Sequence, residues 1–315
     1  MRILPLTIRG IAGYLVFAGT IGIVSAQAQE PRVTVTPRAL TPRSTRPQSN
    51  LRLDVRMVLV PVTVMDATDQ PVLDLQPDRF RLFEDNVEQK IASVTFEEGP
   101  VSIGFLFDAS SSMKNRMTAS LKAIEQFLKT TTKGDEFSLI RFSDQPAVVT
   151  GFTQDPNEIL GPLSAMQPLG WTALHDAIVL GVQRMKAAKN SRRALVVLTD
   201  GGDNNSRYSE GELRSLVRES DVRIYSIGLF ERPRLLESLA ADTGGRSFWV
   251  HKLDDLPNAV ARLSRELRSE YVLGYSSSNG QSDGKYRKVR VELVETLRRM
   301  PLNVFWRRGY FAPGD

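Results

Sequence analysis

The sequence predicts an α/β protein: a doubly wound, mostly parallel sheet inserted in a small antiparallel β-sandwich module. Three observations carry that expectation. Between residues 101 and 270, apolar runs of strand length alternate with amphipathic stretches of helix length, the pattern of a parallel sheet covered on both faces. Before it, Val58, Val60, Val62 and Val64 fall at every second position, the period of a strand with one buried face. After it the helical period stops and short strand-like runs return, too few for a core of their own.

The 315-residue chain opens with Arg2 and Arg9, an apolar stretch over 11–24 and then Ala26-Gln27-Ala28. A charged start, a short apolar segment and an A-x-A site read as a signal peptide over 1–28. Its apolar stretch is short for a span, so the expected product is extracytoplasmic, periplasmic or secreted, with no membrane span after cleavage. Residues 29–50 carry Pro31, Pro37, Pro42 and Pro47 among Thr, Ser and Arg and read as a disordered linker. These two segments carry +2 and +3, which accounts for the whole net charge of +5. The folded remainder is neutral and lacks the basic face that nucleic acid requires. Cysteine is absent, so no disulfide framework is available.

Residues 51–98 read as the first half of the β-sandwich. Pro61 inside the first run predicts an edge or bulged strand, because proline donates nothing to a ladder. Strand-like runs at 80–84 and 87–96 flank the turn-forming Asp85-Asn86. In residues 101–270, strands are expected at 103–108, 137–142, 194–200, 223–229 and 247–250, and helices at 116–130, 173–187, 210–219, 234–241 and 256–268. Residues 271–315, with runs at 271–275, 287–294 and 303–306, are expected to complete the sandwich. Chain direction places both connections to the sandwich at the amino ends of the parallel strands, and makes 256–268 the one helix joined directly to it.

In an open parallel sheet, ligands bind beyond the carboxyl ends of the strands. Three polar loops fall there: Asp108-Ala-Ser110-Ser-Ser112, Gly170-Trp-Thr172 and Leu198-Thr-Asp200-Gly-Gly. Helix capping accounts for one or two of the first group but leaves Thr172 and Asp200 unexplained. A hard cation such as Mg²⁺ or Mn²⁺ accounts for all five, since it takes six oxygens and keeps some water. If Ser110, Ser112 and Thr172 bind directly and Asp108 and Asp200 act through water, the metal stays electron-poor. A protein partner's Glu or Asp carboxylate then completes the shell. At a solvent-facing strand end, Asp108 should be replaceable by Ala without cost to the fold.

D-x-S-x-S, a later Thr and a later strand-ending T-D-G resemble the metal-ion-dependent adhesion site (MIDAS) of von Willebrand factor type A domains, with the likeness spanning about residues 101–270. The resemblance implies a Rossmann-like domain in which Ser110, Ser112 and, with ligand bound, Thr172 contact the metal while Asp108 and Asp200 hold its waters. It implies a non-enzymatic binding protein acting in adhesion or envelope protein assembly. Leu82-Phe-Glu-Asp85 and Gly309-Tyr-Phe-Ala-Pro313 resemble the exported group of type A-related proteins frequent in Acidobacteria. Trp171 departs from the pattern, where Gly commonly precedes the Thr; its ring either packs between loops or lies on the rim.

Other readings fit less of the sequence. Ser111-Ser-Met-Lys114 matches the S-x-x-K of serine β-lactamases, but neither S-D-N nor K-T-G occurs. Metal-assisted hydrolysis lacks a placed general base in the three loops. A scaffold whose metal merely ties loops together remains the alternative. Asp203-Asn204-Asn205 lack calcium-loop spacing and read as a polar turn, and His175 and His251, without cysteine, make no zinc site.

Overall fold

The computed structural model describes residues 57–294 and 301–314; the expected signal peptide and linker, with residues 51–56, 295–300 and 315, lie outside the described residues. Strand β5 (Val101–Asp108) is buried at every position because it lies in the middle of a six-stranded sheet. With β6 (Glu136–Phe142), β7 (Ala147–Thr153), β8 (Arg192–Thr199), β9 (Arg223–Leu229) and β10 (Ser247–Val250), the strand order is β10-β9-β8-β5-β6-β7. All neighbours are parallel except β7, which runs antiparallel to β6 at one edge.

Alternation along the strands builds a core on each face. Ile103, Phe105 and Phe107 pack with α1 (Met117–Leu128), α2 (Asn157–Ser164) and α6 (Leu256–Arg268). Leu106, Leu195 and Val197 point the other way, under α3 (Leu174–Met185), α4 (Glu210–Glu219) and α5 (Arg234–Thr243). Gly104 permits the close approach of α3: a Cβ there would lie 2.7 Å from both Leu195 Cδ2 and Met185 Cε. Strand β7 and helix α2 are additions to the sequence expectation. The strand is a half-exposed edge interrupted by Gly151, and the helix contains Pro162. Proline cannot bond to the carbonyl four residues back. Here that carbonyl, of Glu158, accepts instead from the Thr150 hydroxyl at 2.8 Å.

The remaining strands are β1 (Met57–Met65), β2 (Phe80–Glu84), β3 (Val87–Gln89), β4 (Ile91–Glu97), β11 (Glu270–Ser276), β12 (Tyr286–Leu293), β13 (Asn303–Trp306) and β14 (Gly309–Phe311). They form two four-stranded sheets, β13-β1-β11-β4 and β14-β12-β2-β3, so each sheet draws on chain before and after the α/β segment. Val60, Val62, Val64, Leu82, Tyr271, Leu273, Tyr275, Val289 and Val291 fill the core between them. Two expectations are corrected. The strand holding Pro61 is internal rather than an edge; β13 pairs with it only from Val62 onward, so the proline stands on the stretch that faces no strand on that side. The run at 87–96 is two strands, which leave one sheet for the other at Lys90.

The chain enters β5 from β4 and leaves α6 into β11, both at the amino ends of the parallel strands. A buried ionic clasp ties this junction. Arg192 at the start of β8 donates to Glu270 (2.9 Å), to the Gly99 carbonyl (2.6 Å) and to the Leu267 carbonyl (2.6 Å), and Arg223 at the start of β9 donates to the same Glu270 oxygen at 2.6 Å. Beside it, Asp69 from the loop after β1 pairs with Arg246 and Arg262. Helix α6 is not the only helical link: Arg307 pairs with Asp221 and donates to the Arg218 carbonyl at the end of α4, and the Arg308 N–H donates to the Asp242 carbonyl in α5.

Glu266 in α6 lies in this cluster, fully buried, with Oε2 3.4 Å from Arg246 and Oε1 without a hydrogen-bond partner. Burial pushes its carboxyl from 4.5 up to about 7, against the pull of Arg246 and Arg223. The folded state therefore holds this proton more tightly than the unfolded chain. The resulting stabilisation is complete below the unfolded value and lost as pH rises through 7. Glu266→Gln imitates the protonated acid and leaves Arg246 paired with Asp69. Its expected effect is a higher melting temperature at pH 8 and little change at pH 5. Thermal scans at the two pH values check this; equal shifts at both would contradict it.

Candidate functional site

The carboxyl ends of β5 and β8 bring four of the five sequence-selected residues into one hydrogen-bonded chain. Asp108 closes β5 with its carboxylate fully buried; Oδ1 accepts from the Ser110 N–H at 2.8 Å and Oδ2 from the Thr199 hydroxyl at 2.6 Å. Ser110 Oγ lies 3.0 Å from Ser112 Oγ, and Ser112 Oγ donates to Asp200 Oδ1 at 2.7 Å. Asp108 is thus not the solvent-facing residue that the sequence suggested. Burial pushes its carboxyl above the ordinary value, while the Thr199 and Ser110 hydrogen bonds and the Arg116 charge pull it down.

Thr172, the fifth, is buried in the loop alongside. The Ser111 N–H donates to the Gly170 carbonyl at 3.1 Å and the Gly170 N–H returns to Ser111 Oγ at 3.0 Å. Asn204 fixes Thr172 from the other side: its Oδ1 accepts the Thr172 N–H at 2.7 Å and its own N–H donates to the Thr172 carbonyl at 3.0 Å. The segment after Asp200 is accordingly a tie between loops. Asp203 accepts from the His175 N–H and the Ser206 hydroxyl, and Asn205 donates to the Asp144 carbonyl. His175 Nδ1 lies 2.9 Å from the Tyr208 carbonyl.

Sequence reasoning missed Arg116. Its guanidinium pairs with Asp200, donates to the Ser112 carbonyl at 2.7 Å and covers the Phe230 ring at 4.7 Å. Asp200 Oδ2 is buried, and the Arg116 guanidinium is the charge paired with it. One signal was present in the sequence. Helix α1 has no acidic residue in its first turn and is preceded by Lys114 and Arg116, the reverse of what the helix dipole favours. Thr199 and Asp144 were missed as well; only their positions at the ends of β8 and β6 hinted at a role.

The donor set suits a hard cation. Adjacent ligands of an octahedral Mg²⁺ at about 2.1 Å stand about 3.0 Å apart, and the two serine oxygens stand at 3.0 Å. Among the described residues no three His, Cys, Asp or Glu side chains converge; a cation here would meet two carboxylates, with hydroxyls as the remaining donors. No helix among the described residues is long and apolar enough to cross a membrane.

Residues 103–202 match the von Willebrand factor type A domain family. The chain is 26% identical over 174 residues to inter-alpha-trypsin inhibitor heavy chain H4 of Homo sapiens, covering 50% of this chain and 19% of that protein. The Bos taurus protein of the same name is 25% identical over 205 residues, covering 58% and 22%. The match thus spans about a fifth of these relatives. Among solved structures, a von Willebrand factor type A protein from Catenulispora acidiphila aligns with TM-score 0.49 at 13% identity, covering 83% of this chain and 74% of that one. Proximal thread matrix protein 1 from the mussel byssus, described with a zinc-occupied MIDAS motif, aligns with TM-score 0.48 at 20% identity, covering 58% and 49%.

Proposed function

We propose that this chain, which carries a von Willebrand factor type A domain, is an exported, non-enzymatic binding protein that captures an acidic residue of a protein partner through Mg²⁺ or Mn²⁺. The observation that supports this most is the single hydrogen-bonded chain Asp108–Ser110–Ser112–Asp200, with its serine oxygens at the separation of neighbouring metal ligands. Ser110, Ser112 and Thr172 would hold the metal, and Asp108 and Asp200 would hold its waters. The metal would supply an electron-poor centre for the partner's carboxylate. The signal-like residues 1–28 and the flanks 82–85 and 309–313 support export and membership of the exported bacterial group. A scaffold with a loop-tying metal predicts the same metal binding but no dependence of partner capture on it.

Arg116 gives the reading a distinctive test. It neutralises Asp200, so metal and guanidinium compete for one carboxylate. Arg116→Ala is expected to tighten Mg²⁺ about fivefold, the worth of a partly exposed ion pair, as measured by titration calorimetry. Capture of partner proteins should disappear in EDTA and in Thr172→Ala. Unchanged or weaker Mg²⁺ binding in Arg116→Ala would contradict the competition, and capture that persists in excess chelator would contradict the metal contact.

A further inference from the structure

The rim of the site carries large apolar side chains that stand outside the cores, one of them, Phe230, with the Arg116 guanidinium over its ring. Leu169 is 74% exposed and Trp171 64% exposed, on the side of β6 and β5; Phe230 is 41% exposed and Trp249 43% exposed, on the side of β9 and β10. Trp171 therefore does not pack between loops. These side chains stand on backbone that is held in place. The Leu169 N–H donates to the Ala109 carbonyl at 2.8 Å and the Trp171 N–H to Asp144 Oδ1 at 2.7 Å. Gly170 between them has φ +88°, and a Cβ there would strike the Asp144 carboxylate. Phe230 is held at φ +67°, costly for an aromatic residue, with its N–H on the Val250 carbonyl and its own carbonyl accepting from Trp249 Nε1. Strain of this kind persists where the surroundings fix it and clusters at binding sites. Rigidly presented, solvent-facing aromatic residues are what a binding surface uses as anchors.

The spacing defines what the anchors fit. From β6 to β9 the sheet has three inter-strand steps, through β5 and β8, roughly 14 Å at about 4.8 Å per step. In an extended segment, residues at i−2, i and i+2 share one face and span about 13 Å. We infer that the site reads an extended protein segment in which one Asp or Glu is flanked, two positions to either side, by bulky apolar residues. The carboxylate would meet the cation that Ser110, Ser112 and Thr172 would hold, with Arg116 beside it. One apolar side chain lies against Leu169 and Trp171 and the other against Phe230 and Trp249. This inference rests on the metal-dependent reading above and deepens it by naming the partner's chemistry.

A displayed library of nonapeptides with a fixed central Glu and all other positions random, panned in Mg²⁺ and eluted with EDTA, tests it. The expected result is enrichment of aromatic and large aliphatic residues two positions before and after the Glu. Trp171→Ser should abolish the enrichment on one side and Phe230→Ser on the other, each weakening a selected peptide about tenfold. The Mg²⁺ isotherm of each variant separates loss of the rim from loss of the metal. EDTA-eluted peptides with polar or basic flanks, or with affinity undiminished in both variants, would overturn the inference and leave the metal reading standing. A library with no EDTA-eluted binders would overturn both. A Mg²⁺-dependent dimer of the protein that Trp171→Ser abolishes, read by sedimentation velocity, would give the rim to a second copy of the chain instead.

Discussion

Asp108→Asn is expected to weaken Mg²⁺ binding about 10- to 100-fold, the usual cost of removing a group that orients a metal's shell, while the protein still melts close to the wild type. The asparagine oxygen can keep the Ser110 N–H, and the amide can donate to Thr199, whose hydroxyl already has the Gly201 carbonyl within 3.1 Å as an alternative acceptor. Asp108→Ala removes the acceptor altogether. It leaves the buried Ser110 N–H without its acceptor, at about 1–3 kcal/mol, so it should lower stability as well as metal affinity. Calorimetry of both variants, by metal titration and by thermal scan, separates the two effects. Wild-type affinity in Asp108→Asn would remove Asp108 from the site.

The second large effect is expected far from the metal. Glu270→Ala strands two buried guanidinium groups, Arg192 and Arg223, whose only acidic hydrogen-bond partner among the described residues is Glu270. Breaking a buried ionic group by removing one partner costs about 3–5 kcal/mol, which for a chain of this size is a fall of roughly 10 °C in melting temperature. The Arg192 bonds to the Gly99 and Leu267 carbonyls remain, so the junction should loosen rather than come apart. Arg192 pairs with Val101 at the start of β5, and Asp108 lies seven residues further along the strand, roughly 23 Å at about 3.3 Å each. Mg²⁺ affinity in Glu270→Ala should therefore match the wild type once both are folded. A matched melting temperature would show that the clasp contributes nothing net. A large change in Mg²⁺ affinity would show that junction and site are coupled.

The parts of the fold that were legible in the sequence are those where period and boundary signals agree. Strands Arg223–Leu229 and Ser247–Val250 and helices Glu210–Glu219 and Leu256–Arg268 have the expected bounds. Helix α4 shows why: Ser209 and Glu212 form a capping box that can be read directly from their spacing. Strand β7 and helix α2 were not legible, since Gly151 and Pro162 contradict the local period and the Thr150–Glu158 bond that compensates is tertiary. The same division holds at the site. Asp108, Ser110, Ser112, Thr172 and Asp200 were selected because their types and order carry a signal, and the structure gathers four of them at the ends of β5 and β8. Arg116 was not, because its pairing with Asp200 depends on a strand 84 positions away in the chain being placed beside it by the parallel ladder of β5 and β8. The exposure of Trp171 was equally hidden, as it follows from the Asp144 and Ser111 bonds that hold its loop.

In the proposed function the serine hydroxyls at the end of β5 would hold a divalent metal in competition with Arg116. Crystals grown in Mn²⁺ and measured for anomalous scattering address it most directly. The expected result is a peak at about 2.1–2.2 Å from both Ser110 Oγ and Ser112 Oγ, ordinary distances for a hard cation, with the Arg116 guanidinium displaced from Asp200. No peak there, with Arg116 still paired to Asp200 at saturating Mn²⁺, would contradict it.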